Sequence, residues 1–335
     1  MANKPVRSSA GQLGLWDDRF QAELRQAAAG VRVRPSSGII PTGSIAVDLA
    51  LGIGGLPRGR IVELYGPPGV GKTTFALQVI AEAQRDGETA AFVDAEHCFD
   101  ASYAQHLGVD LAGLILVRSE EGEHALRIIE QLAASQAVDA IVLDSVAALA
   151  PEDNRSALPD QSPFAHSEMV ARGLRRIARA IGPSPACLLL INQLRTYQGF
   201  GYTETTTGGW SVKLHAAIRA DMRNLGRVQK QTRRVGMNFI KNQLAPARQA
   251  EFDFEEGHGF SAVQEVLELG IKCGVLENAS GQVRFGSEPV DSYRLREDAE
   301  MLMNISAAIR ERMGLPSRKP VHRAPAQMRS EAHSG

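Results

Sequence analysis

Residues 60–74 read RIVELYGPPGVGKTT. A short apolar run meets a glycine-rich turn, and the turn opens into TTFALQVI, which has helical texture. GPPGVGKT (66–73) fits G-x-x-x-x-G-K-[ST] in the strand–turn–helix setting that a phosphate loop requires. Gly66, Gly69 and Gly71 let backbone N–H groups turn inward around phosphate oxygens. The helix N-terminus adds partial positive charge. Lys72 is expected at the β/γ-phosphates and Thr73 at a Mg²⁺ ion. The expected nucleotide contacts in this stretch are Gly66, Pro67, Pro68, Gly69, Val70, Gly71, Lys72, Thr73 and Thr74.

Downstream the pattern repeats. TAAFVDAE (89–96), LILVRS (114–119), VDAIVLDSV (138–146) and ACLLLINQ (186–193) read as strands. TTFALQVIAEAQRDG (73–87), EHALRIIEQLAAS (123–135) and EMVARGLRRIARAIG (168–182) read as the helices between them. Apolar strands alternating with helices predict an α/β fold with a mostly parallel sheet covered on both faces. KLHAAIRADMRNLG and RRVGMNFIKNQ then read as antiparallel strands around a turn, and a small α-rich piece follows residue 261. LWDDRFQAELRQAAAG (15–30) spaces Trp16, Phe20, Leu24 and Ala27 as a short amphipathic helix.

Three strand ends carry chemistry. Asp144 closes AIVLDS, where a carboxylate beside the phosphate loop can hold Mg²⁺ through water. Glu96 closes TAAFVDAE, where it can sit over an attacking water or be an ordinary surface acid. Gln193 closes ACLLLINQ, where it can sense the γ-phosphate or be an ordinary strand-end amide.

The chain has 335 residues, 44% apolar and 22% charged, a globular balance. No run approaches the roughly 18 apolar residues of a membrane helix. MANKPVRSSAGQ lacks the apolar stretch of a signal peptide. Cys98, Cys187 and Cys273 are an odd, scattered set, so reduced thiols and a cytoplasmic home are expected. The net charge of −1 hides an asymmetry. Residues 169–248 hold 14 Lys and Arg against two acids, Glu204 and Asp221, leaving −13 for the rest. A basic block of this kind suggests a polyanion surface. Within it, TYQGFGYTETTTGGW (196–210) has neither helix period nor strand alternation and reads as a loop. Gly and Thr there can follow a phosphodiester backbone while the rings stack on bases.

Several stretches together resemble the bacterial RecA recombinases: residues 41–74, FVDAEHCFDASYAQHLGVD (92–110), VDAIVLDSVAAL (138–149), INQLR (191–195), TETTTGGW (203–210) and KNQLAPARQAEF (241–252). They cover most of residues 40–270. The resemblance implies a P-loop NTPase core of RecA type (34–264), an N-terminal oligomerisation helix after a disordered start (1–33), a small C-terminal α/β domain (265–314) and a disordered basic tail (315–335). It implies Glu96 as catalytic base, Gln193 as γ-phosphate sensor, and Asp100 and Tyr103 as adenine contacts. Lys241 is expected to reach a neighbour's ATP. The first DNA loop falls at 154–164 and the second at 195–209. Arg175, Arg195, Phe200, Thr206, Thr207, Gly208, Gly209 and Trp210 are the expected DNA contacts. ATP and Mg²⁺ are the implied cofactors. The implied partners are single-stranded DNA, then duplex DNA, further copies in a helical filament, and an SOS repressor.

Departures from the family touch DNA, the neighbour or regulation. Gln243 stands where a second lysine is usual, which should weaken stabilisation of transition-state charge unless Arg248 or Arg234 compensates. Glu168 replaces an arginine, Trp210 an asparagine, and the C-terminal tail is basic rather than acidic. A recombinase, a RecA-like accessory factor with weak ATPase, and a different P-loop class therefore all stand as readings, with TETTTGG after INQLR arguing against the last.

Overall fold

The computed structural model describes residues 38–119, 121–151, 162–199, 201–279 and 281–316. The N-terminal helix, most of the first DNA loop, Phe200 and all but the first two residues of the basic tail lie outside the described residues. Strands β1 (Ile39–Ile40) and β2 (Leu56–Pro57) form a small antiparallel pair around helix α1 (Ile45–Leu51). The core then runs β3 (Arg60–Gly66), α2 (Lys72–Arg85), β4 (Ala90–Asp94), α3 (Ala101–His106), β5 (Leu114–Arg118), α4 (Gly122–Ser135), β6 (Ala140–Asp144), α5 (Ser162–Ile181), β7 (Cys187–Gly199), β8 (Gly201–Thr206), α6 (Gly209–His215), β9 (Ala216–Gln229), β10 (Thr232–Asn242), β11 (Gln249–Glu255) and β12 (Gly259–Phe260). A smaller layer follows: α7 (Ala262–Lys272), β13 (Glu277–Ala279), β14 (Gln282–Phe285), β15 (Glu288–Pro289), α8 (Ser292–Glu297) and α9 (Ala299–Arg312).

The large sheet has the order β12-β11-β10-β9-β3-β7-β6-β4-β5. From β9 to β5 every pairing is parallel, whereas β10, β11 and β12 extend it antiparallel. Strands β4 and β6 are buried on both faces, as their unbroken apolar runs demand, and β5 at the sheet edge is half-buried. One core cluster, containing Phe75, Leu77, Ile80 and Phe92, lies on the α2 face. The other, containing Leu126, Ile129, Leu174 and Ile177, lies on the α4–α5 face. The sheet therefore carries its strand ends to one edge, where β3 ends at the phosphate loop.

Two expectations change. The stretch read as a loop from 196 is largely strand: β7 continues to Gly199 and pairs antiparallel with β8, with Gly199 opposite Gly201. β-branched threonines and tyrosines suit an extended ribbon despite the intervening glycines. The α-rich C-terminal piece also contains the three-stranded sheet β13-β14-β15.

That C-terminal layer is held to α1 by buried polar contacts. Glu265 accepts from the Ile45 and Ala46 N–H groups at 2.8 and 3.0 Å and from the Ser44 hydroxyl at 2.6 Å, serving the N-terminus of α1 from another element. Arg310 donates to Asp48 at 2.7 Å with both side chains fully buried. Desolvation pushes the Asp48 and Glu265 carboxyls up, and these contacts oppose it.

Candidate nucleotide site and DNA loop

The phosphate loop turns where the sequence requires glycine. Gly69 and Gly71 have φ of 71° and 105°, in the left-handed region. A Cβ on Gly71 would also lie 2.7 Å from the Phe254 ring, so that ring packs directly on the loop. Lys72 donates to Gly66 O at 3.0 Å and Pro67 O at 2.8 Å, which folds its ammonium into the loop mouth. Burial pulls the Lys72 amine down, while Asp144 and Glu96 oppose that shift.

Register aligns the chemistry. Gly66 of β3 faces Gln193 of β7, and Asp94 of β4 faces Asp144 of β6. The Ala95 and Glu96 N–H groups donate to Asp144 O at 2.8 and 3.2 Å, which sets Glu96 beside Asp144. The Thr73 hydroxyl donates to Asp144 Oδ2 at 2.6 Å. Burial raises the Asp144 carboxyl to about 6, with Glu96 and Asp94 adding to the rise and Thr73 and Lys72 opposing it. Among the described residues no three acids, histidines or cysteines are grouped to hold a metal ion by themselves, but a desolvated carboxylate next to a hydroxyl fits a hard divalent cation that takes its remaining ligands from phosphate and water, and the cation would restore the charged form. Thr73 and Asp144 are thus the residues that would hold Mg²⁺. Gln193 Nε2 donates to Glu96 Oε1 at 2.8 Å, so base and sensor candidates are joined, and the Ser145 hydroxyl also donates to Glu96.

These groups line a cleft of about 400 Å³. Tyr103 also lines it, its hydroxyl 3.1 Å from Thr74 Oγ1. Asp100 caps α3, the helix that carries Tyr103, by accepting from Tyr103 N at 3.0 Å. Facing Tyr103 is the turn after β11, with Glu256 and Gly257 in the cleft wall and His258 against His106 of α3 at 5.0 Å between ring centres. A larger cleft of about 580 Å³ lies between the β9–β10 ribbon and the C-terminal layer. Its arginines are already paired, Arg234 with Asp253 and Glu268, Arg296 with Glu255.

The expected second DNA loop, 195–209, begins two residues past Gln193. Asn192 is fully buried and accepts from Gln193 N at 2.9 Å. Its amide donates to Glu63 at 2.8 Å and to Thr207 O at 3.0 Å, and the Thr207 hydroxyl donates back to Asn192 Oδ1. Glu63 is paired with Arg219, which also reaches Thr206 Oγ1 at 3.4 Å. Thr206 and Thr207 therefore face an internal network. Gly208 and Gly209 turn the chain into α6 with φ of 82° and 70°. A Cβ on Gly208 would press on Val212 at 2.7 Å, so only glycine fits. Trp210 is 75% exposed at the start of α6, and Arg175 and Arg195 are exposed too. Lys241 does not line this cleft; it donates to Lys213 O and Leu214 O at the end of α6. Sequence reasoning missed Asn192, Arg233 and Phe254. Asn192 left a signal, a polar residue inside an apolar run.

A glycine-rich turn between a strand end and a helix at the edge of a parallel sheet, with carboxylates across it, is a P-loop α/β arrangement. A family model described as the RecA N-terminal domain matches residues 28–261. The protein RecA of Bartonella quintana (strain Toulouse) is 43% identical over 290 residues, spanning 82% of this chain and 84% of that protein. The RecA proteins of Sinorhizobium medicae (strain WSM419) and Gluconobacter oxydans (strain 621H) are 42% and 41% identical, covering 82% and 86% of this chain and 80% and 88% of their own lengths. The chain belongs to the RecA family of recombinases. No described helix is long and apolar enough to cross a membrane.

Proposed function

We propose that this chain is an ATP- and Mg²⁺-dependent recombinase that assembles as a helical filament on single-stranded DNA and pairs that strand with homologous duplex. The observation that carries this reading is the unbroken hydrogen-bonded path Glu96–Gln193–Asn192–Thr207, which joins the nucleotide cleft to the second loop. In it, backbone N–H groups of residues 69–73 bind the phosphates and Lys72 leaves its carbonyl partners to meet them. Glu96 orients a water and takes its proton, and Gln193 holds Glu96 until a γ-phosphate draws the amide away. Thr73 and Asp144 would hold Mg²⁺, which would supply positive charge to the phosphate oxygens. Asp100 and Tyr103 bound the base end. Displacing Gln193 moves Asn192, and with it Thr206–Gly209 and Trp210. Lys241 of one copy serves the cleft of the next.

The domain organisation proposed is a core over 34–264 with 265–314 as a separate small layer, in a cytoplasmic protein that also engages an SOS repressor. The test is ATP hydrolysis with and without single-stranded DNA, together with electron microscopy of the protein with DNA and a non-hydrolysable ATP analogue. DNA-stimulated turnover and filaments are expected; no filament under those conditions rejects the reading. One observation favours a second reading, an accessory factor with weak ATPase: Gln243 is exposed and carries no charge where a lysine is usual. Strand exchange by the purified protein alone excludes it.

A further inference from the structure

The β9–β10 ribbon carries five arginines, and they are not equivalent. Arg219 pairs with Glu63, Arg223 with Asp221 and Glu204, Arg227 with Glu256, and Arg234 with Asp253 and Glu268. Arg233 has no carboxylate within ion-pair distance among the described residues. Its one hydrogen bond there runs from Nη1 to Gly69 O, at 2.8 Å, and its Nε is buried without a partner. The guanidinium carbon lies 4.5 Å from the centre of the Phe254 ring, the same ring that fills the space beside Gly71. Arg233 is therefore stacked on one aromatic ring, tied to the phosphate loop, and part of the nucleotide cleft wall. A half-buried cation with a single neutral acceptor is poorly compensated unless an anion joins it. The planar donor fork suits phosphate oxygens, and the stack on Phe254 fixes its plane.

We propose that Arg233 is a binding residue for the phosphate chain of the nucleotide, supplied by the same subunit that carries the phosphate loop. This rests on the nucleotide-binding reading above. It places the additional cation at Arg233, whereas Arg234 is committed to Asp253 and Glu268 and Arg248 is exposed beyond the cleft. It also gives Phe254 a double role, supporting the Gly71 turn and holding the guanidinium flat.

The experiment measures affinities of wild type, Arg233→Gln, Arg233→Lys and Phe254→Leu for fluorescently labelled ATP and ADP, with unlabelled adenosine and AMP as competitors and thermal melting as the folding control. A lost charge-assisted contact should weaken ATP and ADP by about 10- to 100-fold in Arg233→Gln. Adenosine should bind as it does to wild type, and the deficit should grow with phosphate number. Arg233→Lys should recover part of the loss by restoring charge without the stack, and Phe254→Leu should lie between wild type and Arg233→Gln. ATP affinity unchanged in Arg233→Gln, or an equal loss for adenosine and ATP, overturns the proposal, the second outcome making Arg233 a wall residue only. Should Arg233→Gln fail to fold, Arg233→Lys decides: a folded variant with the loss confined to phosphorylated ligands supports the role, and unchanged affinity refutes it. A wild-type chain that binds none of these ligands instead sinks the nucleotide-binding reading, and this one with it.

Discussion

Replacing Asn192 with leucine isolates the link between the nucleotide cleft and the second loop. The side chain is fully buried between β3 and the turn at Thr207, and leucine has similar bulk with no polar atom. The change deletes four hydrogen bonds, to Glu63, Thr207 O, Gln193 N and the Thr207 hydroxyl. Each buried group left unpaired costs about 1–3 kcal/mol. Glu63 retains Arg219, and the Thr207 hydroxyl can turn elsewhere, so those two fall at the low end. Leucine returns about 1–2 kcal/mol through burial. The net loss is about 2–5 kcal/mol, a large share of a typical folding stability of about 5–15 kcal/mol. A fall in melting temperature on the order of 10 °C follows. The functional signature is separate from the stability loss. Nucleotide affinity should persist because Asn192 does not line the nucleotide cleft, whereas stimulation of hydrolysis by single-stranded DNA should disappear. Melting curves, labelled-nucleotide titrations and ATPase assays at a temperature where the variant is fully folded read the three quantities. A variant that melts like wild type, or that keeps the wild-type stimulation ratio, refutes the assignment of Asn192 as the link.

Gln243→Lys should raise DNA-stimulated kcat by about 10-fold or more if a missing cation limits turnover, measured by phosphate release; an unchanged rate removes Gln243 as the limiting departure. Trp210 is exposed at the start of α6, so single-stranded DNA should quench its emission, and Trp210→Asn should weaken DNA binding by about 1–3 kcal/mol in anisotropy titrations. Arg310→Met leaves Asp48 buried without its partner and should cost about 3–5 kcal/mol in urea unfolding, whereas Arg310→Met with Asp48→Leu should recover most of it; equal losses would show that the pair is not coupled. Cys187 is buried and its thiol is pushed up to about 12, whereas Cys98 is exposed. At pH 8 only on the order of one Cys187 in ten thousand is thiolate, so alkylation of the native protein should mark Cys98 and reach Cys187 only on unfolding, as peptide mapping would show.

What could be read in the sequence is what its chemistry writes locally. GPPGVGKT works through its own backbone and one lysine, so eight adjacent residues define it, and the structure shows Gly69 and Gly71 in the left-handed region and Lys72 folded into its mouth. Asp144, Glu96 and Gln193 were legible because the parallel pairing stops beside them: β6 ends at Asp144, β4 ends two residues before Glu96, and the β3–β7 pairing ends at Gly66 opposite Gln193, although β7 itself, against expectation, runs on to Gly199. The hairpin from 196 was not legible, because a strand that pairs only with its successor needs no apolar alternation and its glycines look like loop. Arg233 and Arg234 show the limit most sharply. They are adjacent and of one type, and composition counts both simply as positive charge. Successive residues of a strand point to opposite faces. On β10 that sends Arg233 toward the phosphate loop and Arg234 toward Asp253 and Glu268, with a register shift on either side of the pair. The cation able to act on a nucleotide is thus chosen by strand phase and bulge placement. Both depend on how β9, β10 and β11 pair over long range, not on the two residues themselves.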